Sequence, residues 1–311
     1  MGSLPRAKIN DYYEQFKPVN VTFTKEVINV TGLLTEMVNL KCTSDFFPCV
    51  IYSTSFEGAQ VVANNKSGIF ERLRITNNAL SIRFCFKIPA TDEQIAFLVP
   101  AHFTSSALYG GSQDMSLFNL QFSQRPPDDL IEIMGRVLEA NYYYTKCKNK
   151  LFAVGPDAYR KMRFINKDVL IAVGNATYGC LLREFAFGSM RFILKGAPQE
   201  ILNKPAKIRL SFDEPQETLI LDGSIAKFEA VINHPDVSVV TLALSDPVPL
   251  PYKARLCDYV TTLRLLTSKL SPDDEYTQPE EEASGIEPET TEEDTGAEGA
   301  AAEESADKLA T

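Results

Sequence analysis

The feature that most constrains the fold is a long series of short β-type segments, each closed by turn residues. These segments are rich in Val, Ile, Phe and Thr, and Gly, Asn, Asp and Pro stand between them. In the first 125 residues the predicted strands are NVTFT, VNLKC, CVIYST, AQVVAN, FERLRI, ALSIRFCFKI, QIAFLVP and LFNLQFS. Several short strands at this spacing indicate a barrel or a sandwich.

The hydrophobic period changes after residue 125. Pro126 and Pro127 open the new segment, and Asp128 and Asp129 follow where the positive end of a helix dipole would lie. The apolar residues that fall on one helical face are Leu130, Met134, Val137 and Leu138. The pattern predicts a helix over 127–143 that connects two domains, packs on the first domain, or does both.

The second half returns to β-type sequence. Its predicted strands are NKLFAV, DVLIAV, GCLLREF, MRFILK, AKIRLSF, TLILDGSIAKFEAVI and VSVVTLALS. Residues 156–164 are predicted as a helical turn, 222–223 as a turn or bulge, 234–236 as a loop, and 249–266 as a terminal helix. Residues 8–16 are predicted as a short N-terminal helix.

The last forty-one residues differ in composition from everything before them. From Ser271 to Thr311 there are fifteen Asp and Glu residues and one basic residue, Lys308. The tail therefore carries a charge of −14, and the remaining body carries +4. Almost nothing in the tail could be buried to offset the entropy of ordering, so we expect 271–311 to be disordered and acidic.

These observations predict a mainly β protein with two β-rich domains, each a barrel or a sandwich. The expected division is an N-terminal β domain over 1–125, a connector helix over 126–145 and a C-terminal β domain over 146–270. At about 100–200 residues per domain, the length of 311 residues agrees with two domains. A C-terminal helix and the acidic tail follow.

Composition also predicts where the chain works. The N-terminus has no apolar signal segment, and no apolar run approaches the ~20 residues of a membrane span. The expectation is a cytoplasmic protein without membrane insertion. Its six cysteines lack metal-site spacing and are expected to be reduced and mostly buried. A body charge of +4 is too small to predict binding to duplex nucleic acid.

The sequence offers little support for catalysis. His102 and His234 are far apart and lack ligand spacing to any cysteine or acid, which argues against a zinc site or a Ser-His-Asp triad. Phosphate-loop, nucleophile-elbow and dinucleotide-binding motifs are absent. We therefore predict a binding protein without a metal or cofactor, and the alternative is a β-rich enzyme of unrecognised type.

The order of segments after the predicted helix carries a family resemblance. KCKNK (146–150) follows the helix, CLLREFAFGSMRFILKG (180–196) forms a strand, a short break and a strand, and KPAKIRLSFDEP and VPLPYKARLCDYV come later. This order resembles the PilZ domain, a six-stranded β-barrel that receives the bacterial second messenger cyclic diguanylate (cyclic di-GMP). The helix start RPPDDLIEI (125–133) is similar to PilZ proteins whose N-terminal half is itself PilZ-like. The resemblance therefore implies two β-barrel-like domains, a PilZ-like domain over 1–125 and a PilZ β-barrel over 146–270, joined by the connector helix.

The resemblance implies a two-part ligand site, and both parts depart from the family pattern. An arginine pair, R-x-x-x-R, corresponds here to Lys146 and Lys150 with Lys148 between them, and this register could shift by a residue or two. The second part, D/N-x-S-x-x-G, corresponds to Glu184, Ala186 and Ser189. An alternative register over 175–179 has suitable residue types but is one residue short.

The substitutions weaken the implied site. Arginine grips guanine and phosphate with a planar fork, which lysine lacks. The two lysine substitutions and the lost hydroxyl could together remove roughly 3–6 kcal/mol, or about 10²–10⁴ in affinity. The resemblance therefore favours a signalling adaptor that acts through protein partners in motility, surface or signalling machinery.

Two other interpretations stay open. One is an intact cyclic di-GMP receptor in which the three lysines hold the phosphates and Glu184 contacts a guanine edge. The other is that 146–150 is only a solvated basic turn and 184–189 only a strand edge. The acidic tail could engage a basic partner or fold back on the basic body, although such tails more often only solvate the protein.

Overall fold

The computed structural model describes residues 4–88, 92–165, 168–196, 199–213, 216–231 and 234–267. The acidic segment predicted over 271–311 lies outside the described residues. Within them the α-helices are α1 Arg6–Phe16, α2 Lys25–Thr31, α3 Ile69–Ile75, α4 Asp128–Cys147, α5 Pro156–Lys161 and α6 Leu250–Thr267. Short 3₁₀ helices lie at Thr35–Met37, Asn65–Ser67 and Gln199–Ile201.

Strands of the N-terminal half form one closed barrel. They are β1 Val21–Thr22, β2 Asn39–Cys42, β3 Asp45–Thr54, β4 Gly58–Asn64, β5 Ala79–Lys87, β6 Gln94–Leu108 and β7 Met115–Phe122. The antiparallel order is β1-β3-β2-β5-β6-β7-β4, and pairing of β3 with β4 closes a ring of six strands. Closure leaves the ring without a free edge, and β1 pairs only with the end of β3.

The second half builds another closed barrel. Its strands are β8 Phe152–Ala153, β9 Asp168–Val173, β10 Ala176–Phe185, β11 Ser189–Lys195, β12 Pro205–Phe212, β13 Glu217–Val231 and β14 His234–Leu244. Here the order is β11-β14-β13-β12-β9-β10-β8, and β10 also pairs with β11 to close six strands. The prediction of a mainly β fold with two barrels is confirmed.

Alternation along each strand fills both barrels with apolar side chains. The fully buried aromatic residues include Phe84, Phe86 and Phe118 in the first barrel and Phe185, Phe192 and Phe212 in the second. Burying such a ring contributes about 1.5–3 kcal/mol, because apolar surface leaves water. The same contiguous core continues through the helices that lie between the barrels.

Helix α4 supplies the apolar face that the sequence predicts. Leu130, Met134, Val137 and Leu138 are all buried, and the helix packs against α1, α2 and α6. It therefore both connects the two barrels and packs on neighbouring helices. It runs four residues beyond the predicted end at 143 and finishes at Cys147. The division into domains at 1–125, 126–145 and 146–270 stays a prediction.

Three local predictions were wrong. FERLRI (70–75) is not a strand but lies in α3, because Ile69 and Leu73 are four residues apart and bury one helical face. Residues 234–236, predicted as a loop, begin β14, where His234 pairs with Val231. The register shifts of β13 against β14 fall between Ile225 and Lys227 and between Ala230 and Val231, and 222–223 pairs regularly within the strand.

A recess of about 240 Å³ lies beside α4 and α6. Its apolar wall includes Phe86 and Ile133, and Arg136 and Asp258 contribute its polar groups. Asp258 lines the recess and keeps an exposed surface there. Partial desolvation raises the pKa of Asp258, Arg136 opposes the rise, and nearby Glu139 adds to it.

Helix packing at Gly135 gives the first prediction. A Cβ at this position would overlap the Tyr12 ring on α1. We expect Gly135→Ala to lower the free energy of unfolding by about 1–3 kcal/mol, because overpacking outweighs the gain in helix propensity. Urea denaturation measures this change in the free energy of unfolding. Gly179→Ala is the control, since its Cβ would meet open space, and equal effects of both changes would contradict the packing argument.

The raised pKa of Asp258 gives the second prediction. Between the ordinary pKa of 3.8 and the raised one, the folded protein holds a proton that the unfolded chain has released. Stability contributed by this group is therefore lost as pH rises through that window. We expect Asp258→Asn to raise the melting temperature at pH 7.5, and the difference from the unmodified protein to shrink towards pH 4.

The other charges that act on Asp258 are Arg136 and Glu139 on α4, Arg255 on α6 and Arg163. They remain in place in the Asp258→Asn variant, so the comparison isolates one carboxyl group. A variant that melts at a lower temperature at pH 7.5 would show that the carboxylate stabilises the fold.

Candidate functional site

The end of α4 lies directly against the β10–β11 turn of the second barrel. Gly188 in this turn donates its backbone N–H to the carbonyl of Lys148 at 2.8 Å, and its own carbonyl accepts from the Leu244 N–H at 2.9 Å. A Cβ on Gly188 would lie 2.9 Å from Cγ of Lys148. Glycine is thus needed for the close approach that joins the two predicted parts of the site.

The Lys148 ammonium group is held in a polar cluster beside this turn. Its Nζ lies 2.6 Å from Oδ2 of Asp246, and Tyr144 donates its hydroxyl to the same carboxylate. The Lys148 hydrogen bond, followed by that of Tyr144, holds the pKa of Asp246 below its usual value. The Asp246 hydrogen bond in turn raises the pKa of Lys148. Both side chains therefore stay charged near neutral pH.

A second lysine shares the Tyr144 ring. Nζ of Lys253 on α6 lies 4.9 Å from the ring centroid of Tyr144, and Nζ of Lys148 lies 5.3 Å from it. Lys253 also donates to Oδ1 of Asn141 at 2.8 Å. Burial lowers the pKa of Lys253. Two ammonium groups thus surround one aromatic ring next to the barrel turn, which suits an anion or a planar ring.

Lys146 and Lys150 do not lie against the turn as Lys148 does. Both are exposed, and their ammonium groups lie 5.9 Å from the ring centroids of Tyr142 and Phe152 respectively. Of the three predicted lysines, Lys148 is the one that contacts Gly188.

The second predicted segment has one exposed side and one buried side. Ala186 is completely buried, and its carbonyl accepts a hydrogen bond from the Tyr252 hydroxyl at 2.7 Å. Ser189 is partly exposed at the start of β11. Its carbonyl accepts from the Ala186 N–H at 2.7 Å, which closes the turn. Ala186 therefore supports the turn, and Ser189 is accessible.

Glu184 is partly exposed and pairs with an arginine across the strands. Nη1 of Arg191 lies 2.7 Å from Oε2 of Glu184, and Nη2 lies 3.3 Å from Oε2 of Glu229. Arg191 stands two residues after Ser189 on β11, so both side chains point to the outer face. This arginine supplies the planar fork that the lysine segment lacks.

The alternative motif register at 175–179 lies at the β9–β10 turn and the start of β10, away from the β10–β11 turn. Asn175 lies in the turn between β9 and β10, and Gly179 lies opposite Leu170 of β9. The end of β10 that pairs with β11 begins at Cys180 and leads to the Lys148 contact.

Sequence reasoning did not identify Tyr144, Arg191, Asp246 and Lys253. They come from α4, β11, the segment after β14 and α6, so only the three-dimensional fold brings them to this region. The sequence did contain one indication of Lys253, because this residue lies in the VPLPYKARLCDYV segment, which carries part of the family resemblance.

Other chemistry has little support among the described residues. No group of three His, Cys, Asp or Glu side chains in these ranges is arranged to hold a metal ion. In the same part of the chain, no helix has the length and apolar character needed to cross a membrane. None of the six cysteines, all of which lie within the described ranges, forms a disulfide bond, and five of them are buried.

Comparisons with known proteins show which family the chain is similar to. The PilZN3 domain model matches residues 7–141. A protein of Treponema denticola named cyclic di-GMP binding protein is 30% identical over 259 residues, which cover 83% of this chain and 82% of the relative.

Two solved structures are similar at low identity. The Borreliella burgdorferi PlzA protein in complex with c-di-GMP has 18% identity and a TM-score of 0.38, with 81% of this chain and 98% of that chain covered. YcgR from Escherichia coli in complex with c-di-GMP has 12% identity and a TM-score of 0.26, with 83% and 97% covered. On the match to the Treponema relative, the chain belongs to the PilZ family.

Proposed function

We propose that this protein is a non-enzymatic cyclic di-GMP-binding signalling protein whose ligand lies on the second barrel beside Lys148 and Gly188. The observation that carries the proposal is the contact between these two residues, 2.8 Å from amide nitrogen to carbonyl oxygen. It joins the segment after α4 to the β10–β11 turn, the two segments that correspond to the family's ligand motif. The name of the Treponema relative supports the same ligand.

The chemistry of this region suits a cyclic dinucleotide. Lys148 and Lys253 supply positive charge for phosphate oxygens beside the Tyr144 ring. Arg191 can replace its carboxylate partners with a phosphate or the acceptor edge of guanine, because both are bound by the same bidentate fork. The glycine turn allows a base to approach the backbone closely.

A ligand that binds on this surface must replace carboxylate partners that the basic side chains already have. Lys148 is paired with Asp246, and Arg191 is paired with Glu184 and Glu229 before any ligand arrives. A ligand must displace these carboxylates or share their donors. We therefore propose that the ligand binds more weakly here than at a site with two free arginines. The expected dissociation constant is nearer micromolar than nanomolar, which corresponds to a binding free energy of about 8 rather than about 12 kcal/mol.

The same pairing favours a second candidate function. A site whose charges are already satisfied can persist without nucleotide, and the protein then acts as an adaptor through protein contacts. Its partners would belong to motility, surface or signalling machinery, as the family resemblance implies. A cytoplasmic location stays a prediction for both candidates.

Calorimetric titration with cyclic di-GMP separates the two functions. We expect the full chain to bind with a dissociation constant below about 10 μM, and Lys148→Ala to weaken binding at least ~10-fold, equivalent to ~1.4 kcal/mol. Arg191→Ala should weaken it similarly. The matched control is Lys195→Ala on the same strand β11, whose ammonium group is highly exposed and should leave binding unchanged.

Two controls keep this titration interpretable. Thermal melting checks that each variant is folded, and cyclic di-AMP tests whether guanine edges are read. No heat of binding with up to about 200 μM cyclic di-GMP, a limit near 5 kcal/mol of binding energy, would reject the nucleotide-binding proposal and leave the adaptor function. Equal binding by Lys148→Ala and Lys195→Ala would place the ligand elsewhere.

A further inference from the structure

One wall of the first barrel carries almost no charge. The strands β3, β4, β6 and β7 run next to one another around the ring, with β3 and β6 as the outer two. Among the Asp, Glu, Lys and Arg residues of the chain, these strands contain only Asp45, at the start of β3. Every other described strand of six or more residues contains at least one Asp, Glu, Lys or Arg.

The outer side of this wall is apolar along β3. Phe46, Pro48, Val50 and Tyr52 alternate with buried residues and all point outward. Val50 is 58% exposed and Phe46 is 53% exposed. Tyr109, just after β6, packs its ring edge-on against Tyr52 with centroids 6.2 Å apart. Such a patch of exposed apolar side chains is typical of an interaction surface.

Strand register extends the patch across the wall. Val50 lies opposite Val62 of β4, Val62 lies opposite Leu117 of β7, and Leu117 lies opposite Ala107 of β6. Cross-strand partners share one face of a sheet, so these four side chains form one apolar row, in which Val50 and Ala107 are exposed, Leu117 is partly exposed and Val62 is buried. Depletion of charge together with exposed aromatic residues is the composition of an interface centre.

A row of neutral polar residues runs beside the apolar row. Ser53 donates its hydroxyl to Oε1 of Gln60 at 2.9 Å, and Nε2 of Gln60 donates to Oδ1 of Asn119 at 2.9 Å. Nδ2 of Asn119 donates to Oγ of Ser105 at 2.9 Å. These groups satisfy one another within the protein. Their hydrogen bonds lower the cost of covering the row with another surface.

We infer that this uncharged wall binds the same wall of a second copy of the chain. A charged surface would lose its hydration against the wall without gaining an opposite charge, which is costly. The remaining long strands, such as β10 to β13, bring Arg, Lys, Glu or Asp side chains to the surface. The wall itself is the matching uncharged surface, so the pairing is isologous and closes as a twofold dimer.

The size of the wall sets the strength of the dimer. With strands about 4.8 Å apart and a rise of about 3.3 Å per residue, the patch covers roughly 300–400 Å² on each copy. Two such patches remain below the ~1,200 Å² of standard stable interfaces. The dimer is therefore weak, with a dissociation constant on the order of 10–100 μM, and it exchanges with monomer.

Sedimentation velocity of the full chain from about 1 to 300 μM tests this inference, a range that spans the expected dissociation constant. The unmodified protein should shift from monomer to dimer as concentration rises. Val50→Glu should weaken association at least ~10-fold, because it places a carboxylate on each copy within an uncharged interface. Tyr52→Lys, with the opposite charge, should have the same effect.

The matched control is Ile220→Glu on β13 of the second barrel. Ile220 is 59% exposed, nearly the same as Val50, and the substitution is identical. This variant should dimerise like the unmodified protein. Circular dichroism and melting curves confirm that the variants fold, so a lost dimer is not mistaken for a lost fold.

Salt separates this contact from an electrostatic one. Association through uncharged walls should be unchanged or stronger between 0.05 and about 0.5 M NaCl, whereas a contact between acidic and basic segments would weaken as the Debye length falls. Three outcomes would overturn the inference. They are a monomer at every concentration, equal association of the Val50→Glu and Ile220→Glu variants, and a dimer that dissociates in salt.

Discussion

The architecture depends on the way one helix ends. Helix α4 is buried along one face between α1 and α6, and its last turn brings the Lys148 carbonyl to the Gly188 amide. Because this hydrogen bond lies where α4 meets the second barrel, it fixes the position of the lysine side chain relative to the β10–β11 turn. Tyr144, four residues earlier on the same helix, and Asp246 then complete the cluster.

Charge pairing is central to the proposed site. In the proposed correspondence lysines stand where the family pattern has an arginine pair, and Arg191 on β11 provides a guanidinium fork on the outer face of the barrel. Its carboxylate partners and the Asp246 partner of Lys148 keep the unliganded surface electrically satisfied. On the proposed function, ligand binding is a competition between carboxylates and phosphates for the same donors, and we expect this competition to lower affinity.

The sequence predicts most of the fold because its signals are local. Alternation and turn residues identify the strands, and the spacing of Leu130, Met134 and Leu138 identifies α4. FERLRI is misassigned because six residues cannot separate a short helix from a strand. The proposed site is only half predictable, since Lys148 and Gly188 become adjacent only when the end of α4 packs against the second barrel. Arg191, Asp246 and Lys253 enter through tertiary structure that no spacing in the chain encodes.

The central claim is that cyclic di-GMP binds where α4 meets the second barrel. Two-dimensional ¹H–¹⁵N NMR of the full chain during titration with the nucleotide tests it most directly, because each backbone amide reports separately. The largest shifts should occur at Gly188, Ser189 and Lys148, with smaller shifts along β11. Shifts confined to residues of the recess around Arg136 and Asp258, or to the first barrel, would contradict the proposed site.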